Sequence, residues 1–207
     1  MKILAVSDVE LDTMYSKDLK TRFGDVDLVV GCGDLPFFYL EYIISVLGTP
    51  LYYVSGNHAP QVNRPIGGYR TQPVYGVNLH ASVRRDTSGL LFAGVEGCLR
   101  YNRGQFQYTQ SEMWDNVFAL VPRLMINRML YGRFLDVFVT HASPWKIHDQ
   151  QDLPHQGIKA FLWLDKVFQP RYHLHGHIHV YSQYTQILSE IKKTKVLNVY
   201  GYQLIEI

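Results

Sequence analysis

Four of the nine histidines in this 207-residue chain fall at alternate positions, 173, 175, 177 and 179, in the segment YHLHGHIHV. Neutral imidazole is the commonest protein ligand for transition metals. Strand residues i and i+2 point to the same side, so an unbroken strand would align all four rings. Gly176 interrupts that regularity, because glycine lets the backbone approach a ligand closely. His177 and His179 are therefore expected as loop-borne ligands, and His173 and His175 as strand residues that pack or support. Leu174, Ile178 and Val180 interleave with the histidines, which separates the segment from a metal-binding histidine tract. Taken alone, the segment suits a metal site and a polar strand face equally well. Partners elsewhere must decide.

Other polar groups follow short apolar runs. Asp8 follows KILAVS, Asp34 follows VDLVVGCG, Asn57 and His58 follow PLYYVSG, and His141 follows FLDVFVT. Each run has the length and the Val, Leu, Ile or Tyr content of a buried strand closed by turn residues. In open α/β sheets, ligands bind beyond the carboxyl ends of the strands. Asp8 or Asp34 singly reads as a turn former. Five strand ends that each present Asp, Asn or His read as one site, with oxygen and nitrogen donors suited to divalent ions.

The elements that would position these groups alternate. PFFYLEYIISVLG reads as a helix between the second and third runs, started by Pro36 and stopped by Gly48. A weaker helix, YSKDLKTRFG, separates the first two. Strand, helix, strand, helix, strand is the pattern of a parallel sheet. GVNLHASVRRDTSGLLFAGVEG then reads as a hairpin around Asp86 to Gly89, so antiparallel strands are added. Residues 105 to 132 are expected as a helical pair interrupted near Pro122, and IKAFLWLDKVF as an amphipathic helix. YSQYTQIL and KVLNVYGYQLIEI are expected as strands joined by the charged turn EIKKT. The chain, 1–207, shows no repeat or linker and is expected to form a single α/β domain with two sheets and outer helices.

Bulk properties narrow the function. At 47% hydrophobic residues the chain can build a core, unlike a disordered segment. A formal net charge of +2 supplies no electrostatic case for nucleic acid or an anionic membrane. Two cysteines make no secreted-type disulfide framework. The opening MKILAVSD is too short for a signal segment, and no stretch nears the ~20 apolar residues of a membrane span. A cytoplasmic protein is expected.

SDVE, GCGD, GNH, THASP and GHIH occur in an order and spacing that resemble the calcineurin-like metallophosphoesterases. The resemblance runs over nearly the whole chain. It implies a two-sheet mixed β-sandwich flanked by helices in four layers. It also implies a pair of divalent ions, Mn, Fe or Zn, and hydrolysis of a phosphomonoester or phosphodiester, on a small molecule or a phosphorylated substrate. By motif match, Asp8 and His179 would hold the first metal, and Asn57, His141 and His177 the second. Asp34 would bridge them, and His58 would stand by the leaving group as a non-ligating general acid. The division is physically sound: a metal pair ~3.5–4 Å apart needs a shared anionic ligand. An imidazole of pKa ~6.5 can give up a proton near neutrality. One residue departs from the family's pattern, Glu10, where a histidine is usual. As a ligand it would add a third carboxylate and shift preference toward Mn or Mg. Arg100 and His155 are weaker candidates for substrate contact. The rival expectation is a member of the fold without catalysis that serves as a protein-binding scaffold.

Overall fold

A computed structural model describes residues 1–58, 62–63, 69–70 and 72–207. The first part of the chain runs β1 (Lys2–Ser7), α1 (Leu19–Phe23), β2 (Leu28–Gly31), α2 (Phe37–Leu47), β3 (Leu51–Tyr53), β4 (Val62–Asn63), β5 (Tyr69–Arg70) and β6 (Gly76–Asn78). There follow β7 (Ser82–Arg85), β8 (Leu91–Val95), β9 (Cys98–Leu99), β10 (Gln107–Tyr108), α3 (Gln110–Tyr131) and β11 (Val137–Thr140). The chain closes with α4 (Lys159–Phe168), β12 (Tyr172–His175), β13 (Leu188–Ile191), β14 (Thr194–Asn198) and β15 (Gly201–Glu206).

Two mixed sheets result. The first has the order β15-β1-β2-β3-β6, the second β13-β14-β12-β11-β8-β7. Inside each sheet the strands are parallel, and the antiparallel partners β15, β13 and β7 lie at edges. Period-two alternation builds the layers. Ile3 and Ala5 of β1 face the second sheet, while Leu4 and Val6 face α1 and α2. On β11, Val137 and Val139 face the first sheet and Phe138 faces α3 and α4. Three apolar clusters thus separate four layers: helices, sheet, sheet, helices. Phe92, Phe138 and Phe161 are fully buried, each contributing about 1.5–3 kcal/mol. Cys32 lies in the cluster between the sheets and Cys98 in the cluster under α3 and α4; both are free and buried.

The layered two-sheet fold matches the sequence expectation, and three local assignments do not. Residues 110–131 form one helix that runs through Pro122. Leu120 and Leu124, on either side of the proline, are buried in the same cluster. Their packing outweighs the lost backbone bond, which costs about 3 kcal/mol. The residues Tyr181–Gln186 form turns, and the strand starts at Leu188. Tyr181 and Tyr184 are exposed there and, three residues apart, mark no common strand face. KVLNVYGYQLIEI splits at Tyr200 into β14 and β15, which belong to different sheets.

Candidate metal centre

The carboxyl ends of β1, β2, β3, β11 and β12 meet at one rim of the two sheets, and each delivers a residue expected from the sequence. Asp34, His141 and His177 present ligand atoms that all lie within 4.8 Å of one another. Asp8, Asp34 and His177 all have left-handed backbone, with φ of 65°, 54° and 66°. Such non-glycine conformations are costly and concentrate at functional sites. Two glycines permit the approach of the loops. Gly33, at φ 101°, leaves room for the Nδ1 of His141. Gly176 lies against Ser7 and Asp8, where any Cβ would collide with both side chains.

Tautomers are dictated by carbonyls, which only accept. Nδ1 of His141 donates to the Cys32 carbonyl at 2.8 Å. Its Nε2 then faces the Asn57 Oδ1 at 3.0 Å and the Asp34 Oδ2 at 3.2 Å. A neutral ring would aim its lone pair at two oxygens, so a cation belongs between them: a proton or a metal ion. Nε2 of His177 donates to the Pro154 carbonyl at 2.8 Å, which leaves the lone pair on Nδ1. The rings of His141 and His177 lie 4.7 Å apart. Oxygen donors, two imidazole lone pairs and a shared carboxylate fit a divalent transition metal.

The electrostatics follow from this geometry. Burial alone would raise Asp34, but His141 and the His58 N–H at 2.8 Å hold it at about 2. Burial alone would lower His141, but the Asp34 and Asp8 carboxylates push it up to about 9. Burial, then the charge of His141, pushes His177 down to about 3. Asp8 is raised by burial against the pull of His141; its carboxylate accepts the backbone N–H of His177 at 3.0 Å.

The remaining candidates sit around this cluster. His179 is exposed, with Nδ1 2.9 Å from the Tyr181 hydroxyl and its ring 4.9 Å from Tyr200. His58 is exposed at the rim. His155 stacks at 4.9 Å on His177 and is bonded through Nδ1 to Asp152 at 2.6 Å. Glu10 is exposed and outside the cluster, near enough to Tyr39 for its charge to add to burial in raising that phenol. The structure does not bring Arg100 to the cluster: its guanidinium bonds Glu112 at 2.9 Å and the Gln107 carbonyl at 3.2 Å. Arg100 supports the start of α3, where Thr109 and Glu112 form a capping box.

Beneath the site, His173 and His175 share one buried face of β12. His173 bridges Asp165 Oδ2 at 2.7 Å and Thr140 Oγ1 at 2.8 Å. Thr140 in turn donates to the Ala142 carbonyl at 2.6 Å, closing a ring around His141. His175 meets His148 at 2.9 Å, and His148 meets Ser189 at 2.9 Å. Sequence reasoning singles out Tyr101 only as part of a lid or a packing face. It does not anticipate that the Tyr101 hydroxyl accepts from Asn57 Nδ2 at 3.1 Å, nor the roles of the Cys32 and Pro154 carbonyls. A backbone carbonyl leaves no mark in a sequence.

No protein-family model matches this sequence, and no curated protein does either. Solved structures match in fold. One crystal structure superposes with a TM-score of 0.65 at 16% identity, over 99% of this chain and 94% of its own. The crystal structure of TT1561 of Thermus thermophilus gives 0.59 at 17% identity, over 97% of this chain and 89% of that one. GAP50, the anchor in the inner membrane complex of Plasmodium, gives 0.50 at 11%, over 97% and 71%. At these identities the likeness establishes the fold alone: two mixed sheets between helices.

Proposed function

We propose that this chain is a metal-dependent phosphoesterase of the calcineurin-like type, which hydrolyses a phosphomonoester or phosphodiester. The observation that carries the reading is the convergence of the His141 Nε2 and the Asp34 carboxylate with the second imidazole of His177. In this reading Asp34, Asn57, His141 and His177 hold one divalent ion, and Asp8 and His179, with Glu10 as a further candidate, hold another through the shared Asp34. When bound, such ions supply Lewis-acid charge to the phosphoryl oxygens and to the attacking water.

The chain's own residues do the rest. Asn57 contributes a neutral donor, which keeps negative charge low where a phosphate must enter. The carbonyls of Cys32 and Pro154 fix both rings before any ligand arrives: His177 keeps its lone pair on Nδ1, and His141 holds on Nε2 the proton that a metal would displace. His58, exposed at the rim with its backbone tied to Asp34, gives a proton to the departing alkoxide. His155, on its Asp152 support, stands beside His177 and offers Nε2 to a phosphoryl oxygen.

The test is turnover of p-nitrophenyl phosphate and bis(p-nitrophenyl) phosphate with added Mn, before and after chelation. Chelator-sensitive hydrolysis is expected, with Asp34→Asn losing both bound metal and activity. Metal binding without hydrolysis of either ester would overturn the reading and leave a scaffold in its place.

A further inference from the structure

A cleft of 420 Å³ opens beside the candidate centre and shares His179 with it. A larger cleft of 640 Å³ lies on α2 among Phe38, Tyr42 and Tyr75 and touches none of the ligand candidates. Of these two clefts, the one at His179 is placed to receive what a phosphoryl group carries, and a hollow against Asp34 of about 10 Å³ is too small to do so.

Its chemistry is selective. Gln150 and Thr185 supply an amide and a hydroxyl along its walls, Gln186 its amide oxygen and Ser182 its hydroxyl proton. The Gln186 N–H groups already bond the Leu188 carbonyl and Ser189 at 3.1 Å, and the Ser182 oxygen accepts the Tyr184 N–H at 3.2 Å. Among the described residues no lysine or arginine lines it. Asp149 is the one carboxylate, and its Oδ2 is already held by the N–H groups of Lys146 at 2.9 Å and Gly157 at 3.2 Å. The floor is set in advance. Asn198 donates to the Ile178 carbonyl at 2.7 Å and accepts the Tyr200 N–H at 3.0 Å. His148 is fixed between His175 and Ser189, and burial holds it neutral, at about 4. Tyr181, 85% exposed, stands at the edge with its hydroxyl on His179. Its phenol face is open to a flat partner.

Each class of substrate meets these walls differently. A second phosphate would find no cation, whereas phosphate recognition relies on arginine or lysine donors. An alkyl chain would strip water from the wall amides and hydroxyls without pairing them, at about 1–3 kcal/mol per group. An uncharged ring bearing hydroxyl or amide-like groups pairs with the walls and stacks on Tyr181.

We propose that this cleft binds the alcohol part of the ester, and that the alcohol is an uncharged, hydrogen-bonding ring, as in a nucleoside or a sugar. The proposal rests on the phosphoesterase reading and names its substrate class.

Two measurements on the full, metal-loaded chain test it. Calorimetric titration with adenosine and with methyl glucoside should show binding of at least one, weakened about tenfold or more by Thr185→Trp, a change at an exposed position that fills the cleft. Adenosine alone identifies a nucleoside, and the glucoside alone a sugar. Hydrolysis of adenosine monophosphate or glucose 6-phosphate should exceed that of octyl phosphate and adenosine 3′,5′-bisphosphate by about tenfold in kcat/KM. Failure of both rings to bind, indifference to Thr185→Trp, or equal turnover of octyl phosphate or the bisphosphate would overturn the proposal. Ring binding without turnover of any ester defeats the phosphoesterase reading instead.

Discussion

At the scale of single residues, the centre is a set of groups whose protons are assigned by their neighbours. His58 differs from the rest because its side chain is exposed and its backbone is what touches Asp34. His58→Ala should therefore lower turnover by about 10²–10⁴-fold while metal content stays near that of the parent chain. The loss should shrink for an ester with an acidic leaving group, and equal losses across leaving groups would remove the acid role. His141 and Asp34 make a second expectation, in pH. His141 is raised from 6.5 to about 9, so its contribution is full below 6.5 and fades as pH climbs toward 9. Asp34 is lowered from 3.8 to about 2, so its contribution holds above 3.8 and fades as pH falls through 2. Chelated protein should thus melt at lower temperature at pH 9 than at pH 6.5. With metal bound in place of the proton, thermal denaturation should show that decline reduced or absent.

At the scale of elements, the loops after β1 and β12 are packed backbone to side chain. Gly176 touches Ser7 and Asp8, and the His177 N–H bonds the Asp8 carboxylate. Gly176→Ala should push the GHIH loop off the first strand, destabilising the fold by about 1–3 kcal/mol. It should also weaken metal binding, because His177 and Asp8 cannot both keep their places. A denaturation midpoint and a metal titration on the same variant measure the two effects. Unchanged metal affinity would show that the loop can shift without moving its ligands. The same contact explains a limit of sequence reasoning. Gly176 was legible as a break in the histidine alternation, but what it makes room for lies far upstream, on the first strand, and has no local signal.

For the whole molecule, the sequence carried the architecture where periodicity carried it. Continuous apolar runs became the parallel strands β1, β2, β3 and β11, and α2 begins at Pro36 and ends at Gly48 as its breakers predict. Pro122 misled because a local rule met a helix held by long-range packing. The tyrosines at 181 and 184 misled because strand-favouring residues without a period of two define no buried face. The polar residues at strand ends were legible as a set, yet the arrangement of donors around them rests on carbonyls and on Tyr101. The candidate ligands span both sheets, from Asp8 and Asp34 on the first to His141 and His177 on the second. On the proposed reading, ligands drawn from both sheets would couple metal binding to the global fold. Saturating metal at about 100 times its dissociation constant should stabilise the protein by about 2.7 kcal/mol, visible as a raised melting temperature. A melting temperature indifferent to metal and chelator would argue against ligands drawn from both sheets.

The two cysteines give the molecule built-in reporters. A thiol reacts as its thiolate, and here burial, with carboxylate charge second, raises Cys32 well above its usual range and Cys98 to about 12. Neither should be alkylated in the closed protein, so each modification event counts an opening. Cys32 sits between the sheets and Cys98 under α3 and α4, so their rates time two different breathing motions. Equal rates would mean that both layers part together. Because the Cys32 carbonyl holds His141, metal should slow labelling at Cys32 more than at Cys98. Mass spectrometry of singly labelled chains would then clock the opening of the metal centre's floor separately from the helical layer behind it.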